Sequence, residues 1–242
     1  MHPDGSNQTR VTEDELINIR PSFAPDGSSI AFAQSTESDD DDVVIVGPDG
    51  SDETDLTLSG DLESDPAWSP DATRIAFLIN VDAGGGIAVI IPNPDSTDFR
   101  YLFRGIAAGK PAWSPDGVRM AFESGGGIML MAASSADVIP ILSSEGHNPA
   151  WSPDGTRIAF DSPSQPDGPG IFVMAPDGSG VARVTTGDDH GPTRSPDGSQ
   201  IAFTRGAEDT EEQEIFVVNA DGTGLTQLTS NTAADSHPSW SH

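Results

Sequence analysis

The sequence predicts an all-β fold, a β-propeller of four-stranded blades, from three observations. A proline-led segment of the type Pro-Ala-Trp-Ser-Pro-Asp-Gly recurs every 38 to 46 residues along the 242-residue chain. Each copy is followed by short apolar stretches with the length of propeller strands. The 26 glycines and 20 prolines concentrate between these stretches, as turn residues do. Short strands that repeat at about 40–45 residues are typical of propeller blades.

The first strand of each repeat, strand a, begins at a proline, and strand b follows a Pro-Asp-Gly turn. Proline supplies the φ that the first turn position requires, and glycine supplies a positive φ. Strand a is expected to begin at Pro21, Pro66, Pro111, Pro149 and Pro192, with a sixth start at Pro238. Strand b is expected at Ile30–Phe32, Ile75–Phe77, Met120–Phe122, Ile158–Phe160 and Ile201–Phe203.

Two further apolar stretches complete each repeat as strands c and d. In most repeats an Asp-Gly or Pro-Asp-Gly turn separates them, which predicts a second tight hairpin. Strand c is expected at Val43–Val46, Ile87–Ile91, Ile128–Met131, Ile171–Met174 and Ile215–Val218. Strand d is expected at Leu56–Leu58, Phe99–Phe103, Val138–Leu142, Val181–Val184 and Leu225–Leu228.

The two ends of the chain leave the number of blades open. Residues 2–12 match a lone outer strand d, and residues 238–242 match the start of a sixth strand a. The favoured interpretation is a single domain of five complete blades, with the end strands as extra seams. The alternative is an incomplete six-bladed propeller, cut from a longer protein or completed by another chain. The predicted units are 1–20 (lone outer strand and incoming loop), 21–65, 66–110, 111–148, 149–191, 192–237 and 238–242.

The segment Pro-Ala-Trp-Ser-Pro-Asp-Gly-Thr-Arg-Ile-Ala-Phe (149–160), followed by Ile-Phe-Val-Met-Ala-Pro-Asp-Gly-Ser-Gly (171–180), resembles the TolB-type β-propeller repeat. The resemblance covers nearly the whole chain. Proteins with this repeat include a translocation protein of bacterial envelopes, peptidase propeller domains and oligogalacturonate lyases. The resemblance therefore implies the fold more firmly than the function, and it favours an extracytoplasmic location, periplasmic or secreted.

Composition excludes several classes of partner. The chain has 39 acidic and 11 basic residues, which give a formal net charge of −28. Nucleic acid as a partner is excluded because phosphate binding needs clustered Lys and Arg. No run of 18 apolar residues is present, so no membrane insertion is expected. Cysteine is absent, which excludes disulfides and thiolate chemistry.

The loops on one face of the propeller are the expected binding surface. With alternating strand directions, the short a–b and c–d turns share one face, and the variable b–c and d–a loops share the other. Function concentrates on variable loops, and the d–a loops surround the mouth of the central channel. The expected channel-mouth residues precede the blade-opening prolines: Arg20, Asp65, Lys110, His147, Asn148, His190 and His237.

Two groups of residues are candidate metal ligands. His147, His190 and His237, with Asp189 and Asp235 nearby, offer the imidazole and carboxylate ligands that suit Zn or Mn. Oligogalacturonate lyases are similar in using channel histidines with a metal. Asp39, Asp40, Asp41 and Asp42, expected in a b–c loop, offer oxygen ligands for Ca²⁺. The competing interpretations are polar contacts between blades for the first group and a solvated charge run for the second.

The predicted function is a non-enzymatic scaffold or binding module that engages a protein or peptide through the channel-mouth loops. Every recurring residue has a structural explanation, and no Gly-x-Ser-x-Gly nucleophile motif occurs. No catalytic residue and no certain cofactor are therefore assigned. Two alternatives stay open: a metal-dependent lyase or hydrolase with the histidine cluster, and a calcium-responsive module that self-associates through an incomplete blade edge.

The excess of acid also predicts a halophilic or high-salt source. A surface with so many like charges repels itself at low ionic strength, and salt screens this repulsion. The recurring Asp-Gly turns explain part of the excess of Asp. They do not explain why the chain has a single lysine, Lys110.

Overall fold

The structure is a computed structural model that describes residues 6, 8–12, 16–35, 40–58, 60–81, 84–92, 99–105, 109–134, 138–142, 145–207 and 212–241. The strands of these residues form five antiparallel four-stranded sheets, and in each sheet the strands follow one another in chain order. Each sheet is one blade of a five-bladed β-propeller. The predicted all-β fold and the favoured number of blades are confirmed. The described residues contain no helix long and apolar enough to cross a membrane.

The blades have the following strands, from the innermost outward. Blade 1 contains β1 (Ile17–Phe23), β2 (Ile30–Ser35), β3 (Asp41–Val46) and β4 (Thr54–Asp55). Blade 2 contains β5 (Leu62–Trp68), β6 (Ile75–Val81), β7 (Gly84–Ile90) and β8 (Phe99–Arg104). Blade 3 contains β9 (Gly109–Trp113), β10 (Arg119–Ser124), β11 (Gly127–Ala132) and β12 (Val138–Leu142). Blade 4 contains β13 (His147–Trp151), β14 (Ile158–Ser162), β15 (Gly170–Met174) and β16 (Ala182–Arg183). Blade 5 contains β17 (Asp189–Arg194), β18 (Gln200–Arg205), β19 (Glu214–Asn219) and β20 (Thr226–Gln227).

The outer strands of blades 1, 4 and 5 are shorter than predicted, and that of blade 1 also lies earlier in the chain. In blade 1, strand d was expected at Leu56–Leu58, but the ladder covers only Thr54–Asp55. The hydroxyl of Thr57 accepts a hydrogen bond from the backbone N–H of Val43 at 2.8 Å, where a strand carbonyl would otherwise accept. Thr185 and Thr229 do the same in blades 4 and 5. A threonine side chain therefore ends these three ladders early.

The inner strands begin earlier than predicted, and each contains a bulge next to its blade-opening proline. The register of every inner strand against its neighbour shifts there. Arg20, Asp65 and Asn148 adopt positive φ of 58°, 54° and 49°, and Gly191 holds the same position in blade 5 with φ 59°. The residues expected in d–a loops therefore lie within the innermost strands, along the channel wall.

The Asp-Gly turns are held by a repeated set of hydrogen bonds. In blade 4, the Ser152 hydroxyl donates to Asp154 at 2.6 Å, and the Thr156 N–H donates to the same carboxylate at 3.0 Å. These bonds stabilise the charged form, so they lower the pKa of Asp154 to about 2. The same arrangement recurs at Asp71, Asp116 and Asp197. The recurring aspartates are structural, as their repetition indicates.

The apolar core lies between blades. Each of four buried clusters joins two successive blades, and the largest fully buried side chains in them are phenylalanines such as Phe77, Phe122 and Phe203. Trp113 links blade 3 to blade 2, since its indole N–H donates to the carbonyl of Ala67 at 3.1 Å. The recurring tryptophan position therefore serves blade packing, as its periodicity predicts.

Segments from both ends of the chain contact blade 1, and the C-terminal segment also contacts blade 5. The indole of Trp240 donates to the carbonyl of Thr193, as Trp113 does to the preceding blade, and Ser239 accepts from the N–H of Phe23. On the outer side, Val11 packs against the core of blade 1. A Cβ added to Gly50 would lie 2.6 Å from the Val11 carbonyl oxygen. The end segments are thus extra seam elements beside five complete blades.

Candidate functional site

The channel mouth contains a cavity of about 310 Å³ lined by residues from all five blades and the C-terminal segment. Its wall includes the bulge residues of the inner strands. Non-glycine residues rarely adopt positive φ, and such strain often marks functional positions. His237 extends the pattern in the C-terminal segment, because it also precedes a proline and has φ 54°. The predicted channel-mouth residues in this cavity are Arg20, Asp65, Lys110, Asn148, His190 and His237.

Three charged side chains converge at this mouth. Arg20 of blade 1 pairs with Asp65 of blade 2, and the side chain of Asp65 is only 5% exposed. Lys110 of blade 3 lies nearby. Burial is the main cause that lowers the pKa of Lys110, the charge of Arg20 lowers it further, and Asp65 opposes both effects. Within the described residues, no carboxylate forms an ion pair with Lys110.

His237 lies beside the same cations. Burial, followed by the charges of Arg20 and Lys110, lowers the pKa of His237 to about 4, against the opposing charge of Asp65. The side chain of His237 is nevertheless exposed at the open mouth. The charges of Arg20 and Lys110 therefore account for the lowered pKa better than burial does. The imidazole is therefore neutral at pH 7. Its backbone N–H donates to the Thr204 hydroxyl at 3.2 Å, which ties the C-terminal segment to blade 5.

A second cavity of about 390 Å³ adjoins the first and shares Arg20, Asn148 and His190 with it. Here His147 Nδ1 lies 3.0 Å from Glu123 Oε1. Burial raises the pKa of Glu123, and His147 opposes that shift.

The carboxylate of Asp161 is buried in the wall of the second cavity. It accepts hydrogen bonds from the Asn148 side chain and the Gly191 N–H, each at 3.0 Å. Burial raises the pKa of Asp161, although these two bonds oppose the shift. Asn148 and Gly191 are bulge residues of neighbouring blades, so Asp161 holds two bulges in position.

The candidate metal ligands do not form one cluster among the described residues. His147 pairs with Glu123, and His190 Nε2 lies 3.1 Å from Asp188 Oδ1. Asp189 is buried and binds Arg205, with Nε–Oδ1 at 2.6 Å. Asp235 accepts a hydrogen bond from Asn231. In the part of the chain that the structure describes, no group of three or more His, Asp or Glu is placed to hold a metal ion.

The acidic run of the first repeat is divided between loop and strand. Asp39 lies outside the described residues. Asp41 and Asp42 were expected in a loop, but they are the first residues of β3, where they pair with Ser35 and Gln34. Alternation along the strand turns the Asp42 side chain inward, and the Thr57 hydroxyl donates to it at 3.3 Å. Burial is the main cause that raises the pKa of Asp42 to about 6. The hydrogen bond from Thr57 opposes this shift, and repulsion from Asp40, Asp55 and Asp41 adds to it.

Sequence reasoning missed the polar residues of strand b that face the channel. Glu123, Asp161 and Thr204 each follow the phenylalanine of the Ile-Ala-Phe motif and pair across the sheet with the inner strand. Blades 1 and 2 carry Ala33 and Leu78 at this position. The change from apolar to polar at one repeat position is a signal that could have identified them.

A third cavity, of about 340 Å³, lies at the opposite end of the channel. One proline from each of the five a–b turns lines it, together with residues at the recurring aromatic position. Arg119 stacks over the Trp151 ring at 5.0 Å from its centroid, so these rings are held by the preceding blade. In blade 5 the aromatic position is Arg194. Burial lowers the pKa of Arg194, and the charge of Arg157 lowers it further.

Comparisons with known proteins agree with this architecture. A family model described as the TolB beta propeller domain matches residues 1–139 and 103–241. A search of curated proteins gives no match.

Among solved structures, a putative TolB from Agrobacterium tumefaciens is similar at 21% identity and a TM-score of 0.79, covering 96% of this chain and 88% of that one. TolB from Acinetobacter baumannii is similar at 21% identity and a TM-score of 0.70, covering 90% of this chain and 54% of that one. An oligogalacturonate lyase in complex with manganese is similar at 15% identity and a TM-score of 0.61, covering 91% and 68% of the two chains. At these identities the likenesses show the fold alone.

Proposed function

Because the chain belongs to the TolB β-propeller domain family, we propose that it is a non-enzymatic binding module that takes a protein segment or peptide into its channel mouth. The observation that carries the proposal is the cavity of about 310 Å³, whose wall contains the bulge residues of successive inner strands. Arg20, Asp65 and Asn148 sit there in a backbone conformation that costs free energy.

The size and chemistry of the site favour an extended segment. A cavity of this volume admits one or two residues of a partner but no folded surface. The rim offers the charged and amide groups of Arg20, Lys110 and Asn148, which can fix the orientation of a peptide. The wall is supported by ordered strands, so the site is largely formed before a ligand arrives.

Peptide selection on the immobilised chain, followed by affinity titration, tests the proposal. Ser236 lines the cavity, and Ser236→Trp would fill the mouth with an indole ring. We expect this substitution to lower the affinity for selected peptides at least about tenfold, which corresponds to about 1.4 kcal/mol of binding free energy. Ser134 is exposed after β11 on the opposite face, and Ser134→Trp is the matched control that should leave affinity unchanged. Equal affinity in both variants would contradict a site at the channel mouth.

A metal-dependent lyase or hydrolase is the weaker alternative. One similar structure is an oligogalacturonate lyase in complex with manganese. In this chain, His147 and His190 each have an acidic neighbour, and His237 stands beside two cations that would repel a metal ion. Saturable stabilisation by Mn²⁺ that is lost in His147→Ala and His190→Ala would favour this alternative over the binding module.

Calcium-responsive self-association is a third proposal, based on the seam between blades 5 and 1. The end segments there lie outside the five four-stranded sheets, and Trp240 and Ser239 hydrogen-bond to blades 5 and 1. An exposed strand edge can pair with another chain. Light scattering at rising protein concentration, with and without Ca²⁺, tests the idea. A constant monomer mass under all conditions would remove it.

A further inference from the structure

We propose that the channel mouth binds one carboxylate group of its ligand, with Lys110 as the pairing cation. This inference rests on the proposed binding function and specifies its ligand chemistry. Three observations carry it: Lys110 has no ion-pair partner among the described residues, the local charges leave one positive charge unmatched, and an open cavity adjoins that charge.

Lys110 is the single lysine of a chain with net charge −28. Acidic residues outnumber basic ones more than threefold, so an accessible ammonium group has many possible partners on the surface. Lys110 instead lies on the second residue of β9 in the channel wall, where it lines the cavity. A cation recessed in a protein is costly unless an anion pairs with it.

The carboxylate whose charge acts on Lys110 is already engaged. Asp65 pairs with Arg20 from the neighbouring blade, and it is the acidic group that acts on Lys110 electrostatically without forming an ion pair with it. The pair of Arg20 and Asp65 is neutral as a unit, and the neutral His237 adds no charge. Among Arg20, Asp65, His237 and Lys110, one positive charge, that of Lys110, is left unmatched.

A single unmatched charge selects a monoanion. A carboxylate would neutralise Lys110 without adding net charge to the site. A phosphate with two negative charges would exceed the available positive charge and would be repelled by Asp65. In the adjoining cavity, Glu123 faces His147, and the buried Asp161 accepts bonds from Asn148 and Gly191. These two acidic residues disfavour a second anionic group beyond the first.

The carboxylate could belong to the C-terminus of a peptide, to an acidic side chain or to a small free acid. All three present the same group to Lys110. The test therefore compares acetate with acetamide, then a peptide ending in a free carboxylate with its amide, and finally the amide peptide carrying one internal Asp. Ionic strength is held constant with chloride, since salt screens weak ion pairs.

Lysine labelled with ¹³C at Cε provides a direct probe, because the chain has one lysine and therefore one labelled side-chain signal. We expect a saturable shift of this signal with acetate and with the free-carboxylate peptide, and no shift with acetamide. Amidation should lower the affinity for the peptide at least about tenfold if the C-terminus of the peptide provides the carboxylate. If the internal Asp restores binding, the side chain is the source.

Variants separate the role of charge from that of folding. Lys110→Met should abolish carboxylate binding, and Lys110→Arg should restore part of it. Arg100, which is exposed on the outer strand β8, gives the matched control: Arg100→Met removes the same charge elsewhere and should leave binding intact. Near-ultraviolet circular dichroism checks that each variant keeps the native packing.

The outcomes also distinguish this inference from the proposed function. If selected peptides bind at the mouth but neither acetate nor any peptide carboxylate moves the Lys110 signal, the carboxylate inference is overturned and the binding function stands. If no peptide binds and Ser236→Trp has no effect, the binding function itself fails. A carboxylate response that survives Lys110→Met would likewise overturn the assignment of Lys110.

Discussion

Replacing Asp42 with Asn should stabilise the protein at neutral pH. Asp42 is buried at the start of β3, and its pKa is raised to about 6 from 3.8, chiefly by burial. A group whose pKa is raised on folding favours the fold when it is protonated. The native state therefore gains relative stability below pH 4 and loses it as pH rises through about 6. Above that pH the charged, buried Asp42 destabilises the fold.

The expected magnitude follows from the size of the shift. A pKa raised by about two units corresponds to about 2–3 kcal/mol, since each unit is worth 1.36 kcal/mol. Asn has nearly the same shape and can still accept the hydrogen bond from Thr57. Chemical denaturation at pH 8 should therefore show Asp42→Asn to be more stable than the wild type by up to this amount. The difference should vanish near pH 4.

Asp41→Asn is the matched control one residue earlier. Asp41 is only partly buried, and the Ser35 hydroxyl donates to it at 2.6 Å. Its substitution should change stability by less than about 0.5 kcal/mol, as is usual at surface sites. If Asp42→Asn were instead destabilising at pH 8, or if Ca²⁺ stabilised the wild type but not this variant, the carboxylate would be a ligand or a stabilising charge, and the reasoning would fail.

Three further outcomes can be measured on the same material. Trp113→Phe removes the indole bond to Ala67 and the stacking of Arg74, so denaturation should reveal a loss of about 2 kcal/mol; an unchanged midpoint would contradict the role of Trp113 between blades. Tm should rise with NaCl, because screening relieves the repulsion within a chain of net charge −28; a flat profile would argue against a halophilic protein. EDTA or Mn²⁺ should shift Tm by less than about 1 °C, whereas a specific site at a hundredfold excess over its Kd would add about 2.7 kcal/mol.

The fold could be predicted because each strand and turn repeats with its own local chemistry. Ser152 and Asp154 exemplify the turns, whose residues carry the needed geometry in the sequence itself. Strand d was harder to bound, since the ladder of blade 4 ends where the Thr185 side chain replaces a strand carbonyl. Whether a threonine hydroxyl takes the place of a backbone carbonyl depends on its position in three dimensions, which the local sequence pattern does not encode.

The candidate site could be located but not assembled from sequence. The position before each blade-opening proline predicted that Arg20, Lys110 and His237 face the channel. It did not predict the bulge or the left-handed backbone, because residues before proline ordinarily adopt extended conformations. The pairing of Arg20 with Asp65 leaves Lys110 without an acidic partner among the residues that the structure describes, and it depends on the angle between blades. The repeat spacing carries no information about that angle.

Hydrogen–deuterium exchange of the chain with a selected peptide tests the central claim, binding at the channel mouth, most directly. The account predicts added protection around Arg20, Lys110, Asn148 and His237, which line the cavity. The turns near Asp116 and Asp154 on the opposite face should be unchanged. Protection confined to those turns, with none at the channel mouth, would contradict the account.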